Sequence, residues 1–205
     1  MPPDKNLADL GEFALKSGAS RAKIIDTRQI VIDERVQMKC RYPPCVNYGR
    51  NLMCPPFTPP AREFEAIVAK YKCALLVQVD AGIPEQVLPK ISKDGAKLVD
   101  IVKEDGKSGY NKYLNDDWKR FHSLISNIER ESFKRGYYLS LGLVMGSCRL
   151  CEECDTKKAC EHPYEARPSM EAMGIDVFKT AKNSGLGFEW NTKKSIMYNG
   201  LVLIG

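Results

Sequence analysis

No apolar run in this chain approaches the length that a membrane-spanning helix needs, and Met1-Pro2-Pro3-Asp4-Lys5 leads into no apolar segment of a signal peptide. No membrane span is expected, and the expected location is the cytoplasm, where thiols stay reduced. Phosphate-cradling signatures are missing too. There is no G-x-G-x-x-G after a strand and no Walker-type loop, which argues against a nucleotide held by the chain itself. No C-x3-C-x2-C triplet occurs, which disfavours radical cleavage of adenosylmethionine. Charge of one sign is in small excess: 31 Lys and Arg against 26 Asp and Glu leave +5, spread along the chain. Lys119, Arg120, Arg130, Lys134 and Arg135 share one segment with acids between them, the pattern of a solvated face, and no nucleic-acid partner is expected.

What the chain does have is cysteine, eight in 205 residues. In a reducing compartment that number points to metal rather than to cross-links. Four fall in Cys148-Arg149-Leu150-Cys151-Glu152-Glu153-Cys154 and Cys160-Glu161-His162-Pro163. A C-x2-C-x2-C loop can wrap a cubane cluster so that each thiolate reaches a different iron, as in the ferredoxin run C-x2-C-x2-C-x3-C-P. Here the last gap is five residues, and two residues separate Cys160 from its proline. Zinc is the competitor, but zinc sites usually use two separated C-x2-C knuckles. A disulfide framework suits short secreted chains better. A 4Fe–4S cluster is the preferred reading.

A second group, Cys40, Cys45 and Cys54, lies in a stretch of prolines and glycine, so a loop of fixed path is expected over 40–56, as over 148–163. Three unrelated buried thiols are the plain alternative to metal ligation. Cys73 opens an apolar run by itself and reads as a small hydrophobe.

Periodicity predicts helices over 4–18, from Pro59 or Pro60 through Phe64, Ile67, Val68 and Tyr71, over 85–104 and over 111–135. In the last, Leu114, Trp118, Phe121, Ile125 and Ile128 share a face, with His122 placed off that stripe. Residues 21–36 read as one strand or a hairpin, 74–79 as a buried strand and 137–145 as a strand running into the second cysteine loop. A short helix is expected over 167–173 and another from Ile175 to Gly185. Residues 195–204 read as a strand, or as a hairpin turned at Asn199-Gly200. The expectation is a single domain, 1–205, of α/β or α+β class: a mixed sheet flanked by helices, with both cysteine loops leaving strand ends.

Two signatures carry a resemblance. C-x4-C-x2-YG-x4-CPP runs from Cys40 to Pro56. C-x2-C-x2-C-x5-C is followed by Ala166-Arg167-Pro168-Ser169-Met170-Glu171-Ala172 and Gly174-Ile175-Asp176-Val177. Together they resemble a family of predicted metal-binding proteins that carries a domain-of-unknown-function label and occurs mostly in anaerobic archaea and bacteria. The resemblance implies metal or iron–sulfur binding through the seven motif cysteines and no settled reaction.

Seven thiols divide in three ways. Cys148, Cys151, Cys154 and Cys160 hold one cluster, leaving Cys40, Cys45 and Cys54 for a second whose open iron takes His162, Cys73, water or a substrate. Alternatively Cys160 crosses over to that trio, as fourth cysteines do in two-cluster ferredoxins. In the third division one cluster exists, and the trio binds zinc or nothing. The first is favoured. Arg41, Arg50 and Arg149 lie inside these loops, where they would offset thiolate charge or donate hydrogen bonds to sulfur. The leading expectation is one-electron transfer to a redox protein partner in anaerobic metabolism, without catalysis by this chain. The alternatives are an enzyme with an open iron, for which Asp33, Glu34, Tyr42, Tyr48 and His162 are the nearest acids and bases, and a structural zinc or cluster protein. Donor, acceptor, substrate and oligomeric state are not written in the sequence.

Overall fold

A computed structural model describes residues 5–81, 109–188 and 196–205. The helix expected over 85–104, and the side chain of Leu114 in the stripe, lie outside the described residues. Four strands, β1 (Arg21–Asp26), β2 (Cys73–Ala81), β3 (Leu141–Leu143) and β4 (Ile196–Ile204), form one sheet in the order β1-β2-β4-β3. Every pairing is antiparallel, so the class is α+β and the sheet is not mixed.

The central strands are buried on both faces, and alternation sorts their side chains between two cores. Leu75 and Val77 of β2, with Val202 and Ile204 of β4, pack against helix α1 (Lys5–Lys16), through Leu10 and Ala14. Helix α4 (Gly109–Lys134) joins that face with Trp118, Phe121, Ile125 and Ile128. Ala74, Leu76, Leu201 and Leu203 point the other way, toward Phe64 and Val68 of α3 (Ala61–Val68) and Val177 and Ala181 of α5 (Val177–Asn183). Each fully buried Leu, Ile or Val among them contributes about 1.5–3 kcal/mol of transfer free energy. In α1 the inward residues are Leu10 and Ala14, while Leu15 is left exposed.

The expected strand over 21–36 is cut short. Asp26 and Gln29 close a capping box over a single 3-10 turn, Thr27–Gln29, and only Ile32 pairs again, as a bridge to Ile175. Asp33 then caps helix α2 (Glu34–Arg41) by accepting from the Arg35 N–H, so Val36 is helical and Cys40 stands in the helix's last turn. The first cysteine loop therefore leaves a helix and only the second leaves a strand. Residues 137–140 form a turn beyond Gly136 at φ +94°, which shortens the expected strand to β3. Residues 169–174 make a tight turn rather than a helix. Ser169 Oγ accepts the Ala172 N–H at 3.0 Å, and Gly174, at φ +84°, has no room for a side chain because a Cβ there would lie 2.5 Å from that of Ala61. Asn199-Gly200 does not turn a hairpin. It lies inside β4, where a Cβ on Gly200 would meet Ile125 Cδ1 at 2.6 Å.

Candidate metal centre

The first loop is built of short backbone turns. The Cys45 N–H donates to Cys40 O, that of Tyr48 to Cys45 O and that of Cys54 to Asn51 O, each at 2.9 Å. Gly49, at φ +68°, donates to Pro55 O at 2.9 Å and folds the loop back on itself. Cys54 is buried at the end of this path, Cys40 is half-buried and Cys45 is exposed.

The second loop begins where Val144 bridges Ser169. Gly146, at φ +66°, lies so close to the Trp118 ring that an added Cβ would overlap it. Trp118 Nε1 donates to Ser147 O at 3.1 Å, and the Arg149 guanidinium sits 4.7 Å over the same ring. Helix α4 thus holds the first residues of the loop. Further along, the His162 N–H points at Cys160 Sγ, 3.4 Å away. The Cys151 thiol faces Glu161 Oε2 at 3.9 Å. Among the described residues, Cys151, Glu161 and His162 are the one trio of possible donors whose ligand atoms all lie within 4.8 Å of one another.

The loops meet. Asn51 Nδ2 donates to Cys148 O at 2.9 Å, and the Leu52 N–H approaches Cys154 Sγ at 3.5 Å. A cavity of about 1150 Å³ opens between them, lined by Cys148, Cys151, Cys154 and Cys160 from one loop and by residues 49–53 from the other. Electrostatics joins the sulfurs as geometry does. Burial pushes the Cys54 thiol up to about 12, and the charges of Cys40, Cys45, Cys148 and Cys154 push the same way. Burial first, and then Cys160, Cys151 and Cys154, raise Cys148 against the opposing N–H of Leu150. Cys151 is raised by burial, by Glu161 and by Cys154 and Cys160. Thiols that raise one another in this way ionise together only with a cation among them, which is the environment a thiolate-held metal resolves. The donor set fits such a group.

Of the expected helpers, Arg50 and Arg149 line the cavity, whereas Arg41 is exposed at the end of α2. Cys73 packs against the core beneath α1 and α4. Asp33 is engaged as a helix cap and is held by the Arg35 guanidinium, which keeps its carboxyl low. Glu34 and Tyr42 are exposed, and Tyr48 is half-buried. His162 stands with Cys151 and Glu161 on the second loop.

Two residues escaped the sequence reading. His122 is 2% exposed, and neither ring nitrogen has a hydrogen-bond partner among the described residues. Burial, followed by Arg149 and Arg167, lowers its pKa to about 4. Its signal was available, since it lies four residues after Trp118 and three before Ile125, on the buried arc rather than off it. Glu171 was the other. It is an acid between Met170 and Ala172 in a buried turn, and an acid inside an apolar stretch is the only local sign it gives.

Neither a curated protein nor a solved structure matches the chain. A family profile does, over residues 23–204, and it takes in both cysteine loops. The chain belongs to the family described as predicted metal-binding protein (DUF2284).

Proposed function

We propose that the protein holds two 4Fe–4S clusters and passes single electrons to a redox protein partner. The observation that carries this reading is the meeting of the two cysteine loops, where Asn51 bonds Cys148 O and the Leu52 N–H approaches Cys154 Sγ. The spacing of Cys148, Cys151 and Cys154 supports a cluster over zinc, because C-x2-C-x2-C wraps a cubane whereas zinc sites usually use two separated C-x2-C knuckles. When bound, such clusters supply reversible one-electron reduction.

The chain supplies the rest. The N–H groups of Leu52 and His162 aim at sulfur, which favours the reduced state. Arg149, fixed over Trp118, brings positive charge to the cavity. Tyr42, Val46 and Phe57 are exposed large hydrophobics around the first loop, the kind of small apolar surface that a transient redox partner uses. Electron paramagnetic resonance of anaerobically purified, dithionite-reduced protein tests the proposal. Signals of two interacting reduced clusters are expected, and a protein silent at every potential overturns it.

A further inference from the structure

Cys40, Cys45 and Cys54 are one donor short of the four that a closed thiolate centre uses. Cys73 lies in the core and His162 on the other loop, so neither stands beside this trio. Glu171 is the candidate, because its turn is fastened to the elements that carry the trio. Gln37, one turn before Cys40 on α2, donates from Nε2 to Ala172 O at 2.7 Å and to Pro59 O at 3.0 Å. Thr58 Oγ1 donates to Ala172 O at 3.1 Å, and the Asp33 N–H to Gly174 O at 2.9 Å. The residue next to Glu171 is thereby clamped to both α2 and the end of the first loop.

The carboxyl group itself is incompletely served. Its own backbone N–H, the Ser169 side chain and the Gly146 backbone hydrogen-bond to it, but among the described residues Oε2 is shut away from solvent with no hydrogen-bond partner. Among the described residues no cation acts on this acid, whereas its charge reaches the Cys40 thiol. A buried carboxylate oxygen without a donor or a cation is costly, and native structures seldom keep one without a reason. A metal beside Cys40 would be that reason.

We infer that Glu171 is the fourth ligand of the metal centre held by Cys40, Cys45 and Cys54, bound through Oε2; the inference rests on the two-centre reading above. A carboxylate is a harder donor than thiolate, so this centre has one iron unlike its neighbours and more readily exchanged. The second loop, with four cysteines of its own, has none.

The test uses the full chain reconstituted without oxygen from isotopically enriched ferrous iron and sulfide, compared with Glu171→Cys, Glu171→Gln and Glu171→Ala. Mössbauer spectra and iron counts are the readouts, with melting temperature as the check on folding. Wild type should show one oxygen-ligated iron among about eight. Glu171→Cys should convert it to a thiolate site at full iron content. Glu171→Ala should lose that iron and give a three-iron signal when oxidised. Glu171→Gln, which keeps size and hydrogen bonding, should lose the oxygen-ligated signature. Eight thiolate-like irons in wild type, or a spectrum unchanged in Glu171→Cys and Glu171→Gln, overturns the ligation and leaves the two-cluster reading standing. Wild type that takes up only about four irons overturns both.

Discussion

The backbone N–H of Leu52 points at the sulfur of Cys154 across 3.5 Å, a contact between residues 102 positions apart. It sits at the seam where the two cysteine loops face each other, and its neighbour Asn51 fastens that seam with a side chain 6% exposed. Asn51 Nδ2 donates to Cys148 O, and its Oδ1 accepts the Met53 N–H at 2.9 Å. Asn51→Ala removes both bonds and leaves buried polar groups without partners, at a cost of about 1–3 kcal/mol. The melting temperature should fall, and bound metal should be lost faster to a chelator. Unchanged chelator kinetics would contradict the role given to the seam.

Gly146 tests how the second loop is launched. Its positive φ and its closeness to Trp118 leave no place for a methyl group. Gly146→Ala should destabilise the fold by about 2 kcal/mol or more in denaturant titration, with Trp118 displaced from Ser147 and iron content reduced. Wild-type stability and wild-type tryptophan fluorescence would count against this packing.

His122 predicts a pH dependence. Its pKa is about 4 in the fold against an ordinary 6.5, so the unfolded chain takes up the proton first. The stabilisation from a neutral His122 is therefore complete above pH 6.5 and lost as the pH falls toward 4, by at most roughly 3 kcal/mol. Because carboxylates titrate nearby, the measurement is a difference: the stability of His122→Leu minus that of wild type, between pH 7 and about 4. That difference should move in favour of the variant as the pH drops. A flat difference would mean that His122 is not buried in its neutral form.

Cysteine substitutions should separate ligands from packing. Cys54→Ser should empty the first centre and weaken the second, because Cys54 lies in the field of Cys148 and Cys154. Cys73→Ser should leave the iron count unchanged and cost about 1 kcal/mol in stability, as for a small hydrophobe in a core contact. Equal iron loss in both would overturn the division.

Periodicity made most of the scaffold legible. The stripe Trp118, Phe121, Ile125 and Ile128, the run 74–79 and the helix after Pro60 all appear where their spacing puts them, because each is decided by local pattern and burial together. Where the reading failed, a cap or a close approach won over pattern. Asp33 turned an apparent strand into α2, and Gly174 packed against Ala61 to make a turn of 169–174. The site divided along the same line. Spacing marked the cysteine loops, since the cysteines of one loop are close in sequence. The seam at Leu52 and Cys154 and the buried carboxyl oxygen of Glu171 depend on segments that are distant in the chain, and no local pattern announces them.

Iron, acid-labile sulfide and zinc counted on protein purified without oxygen test the central claim most directly. The account predicts about eight irons and about eight sulfides per chain, with no zinc. Zinc without sulfide would contradict it and leave the cysteine loops as structural staples.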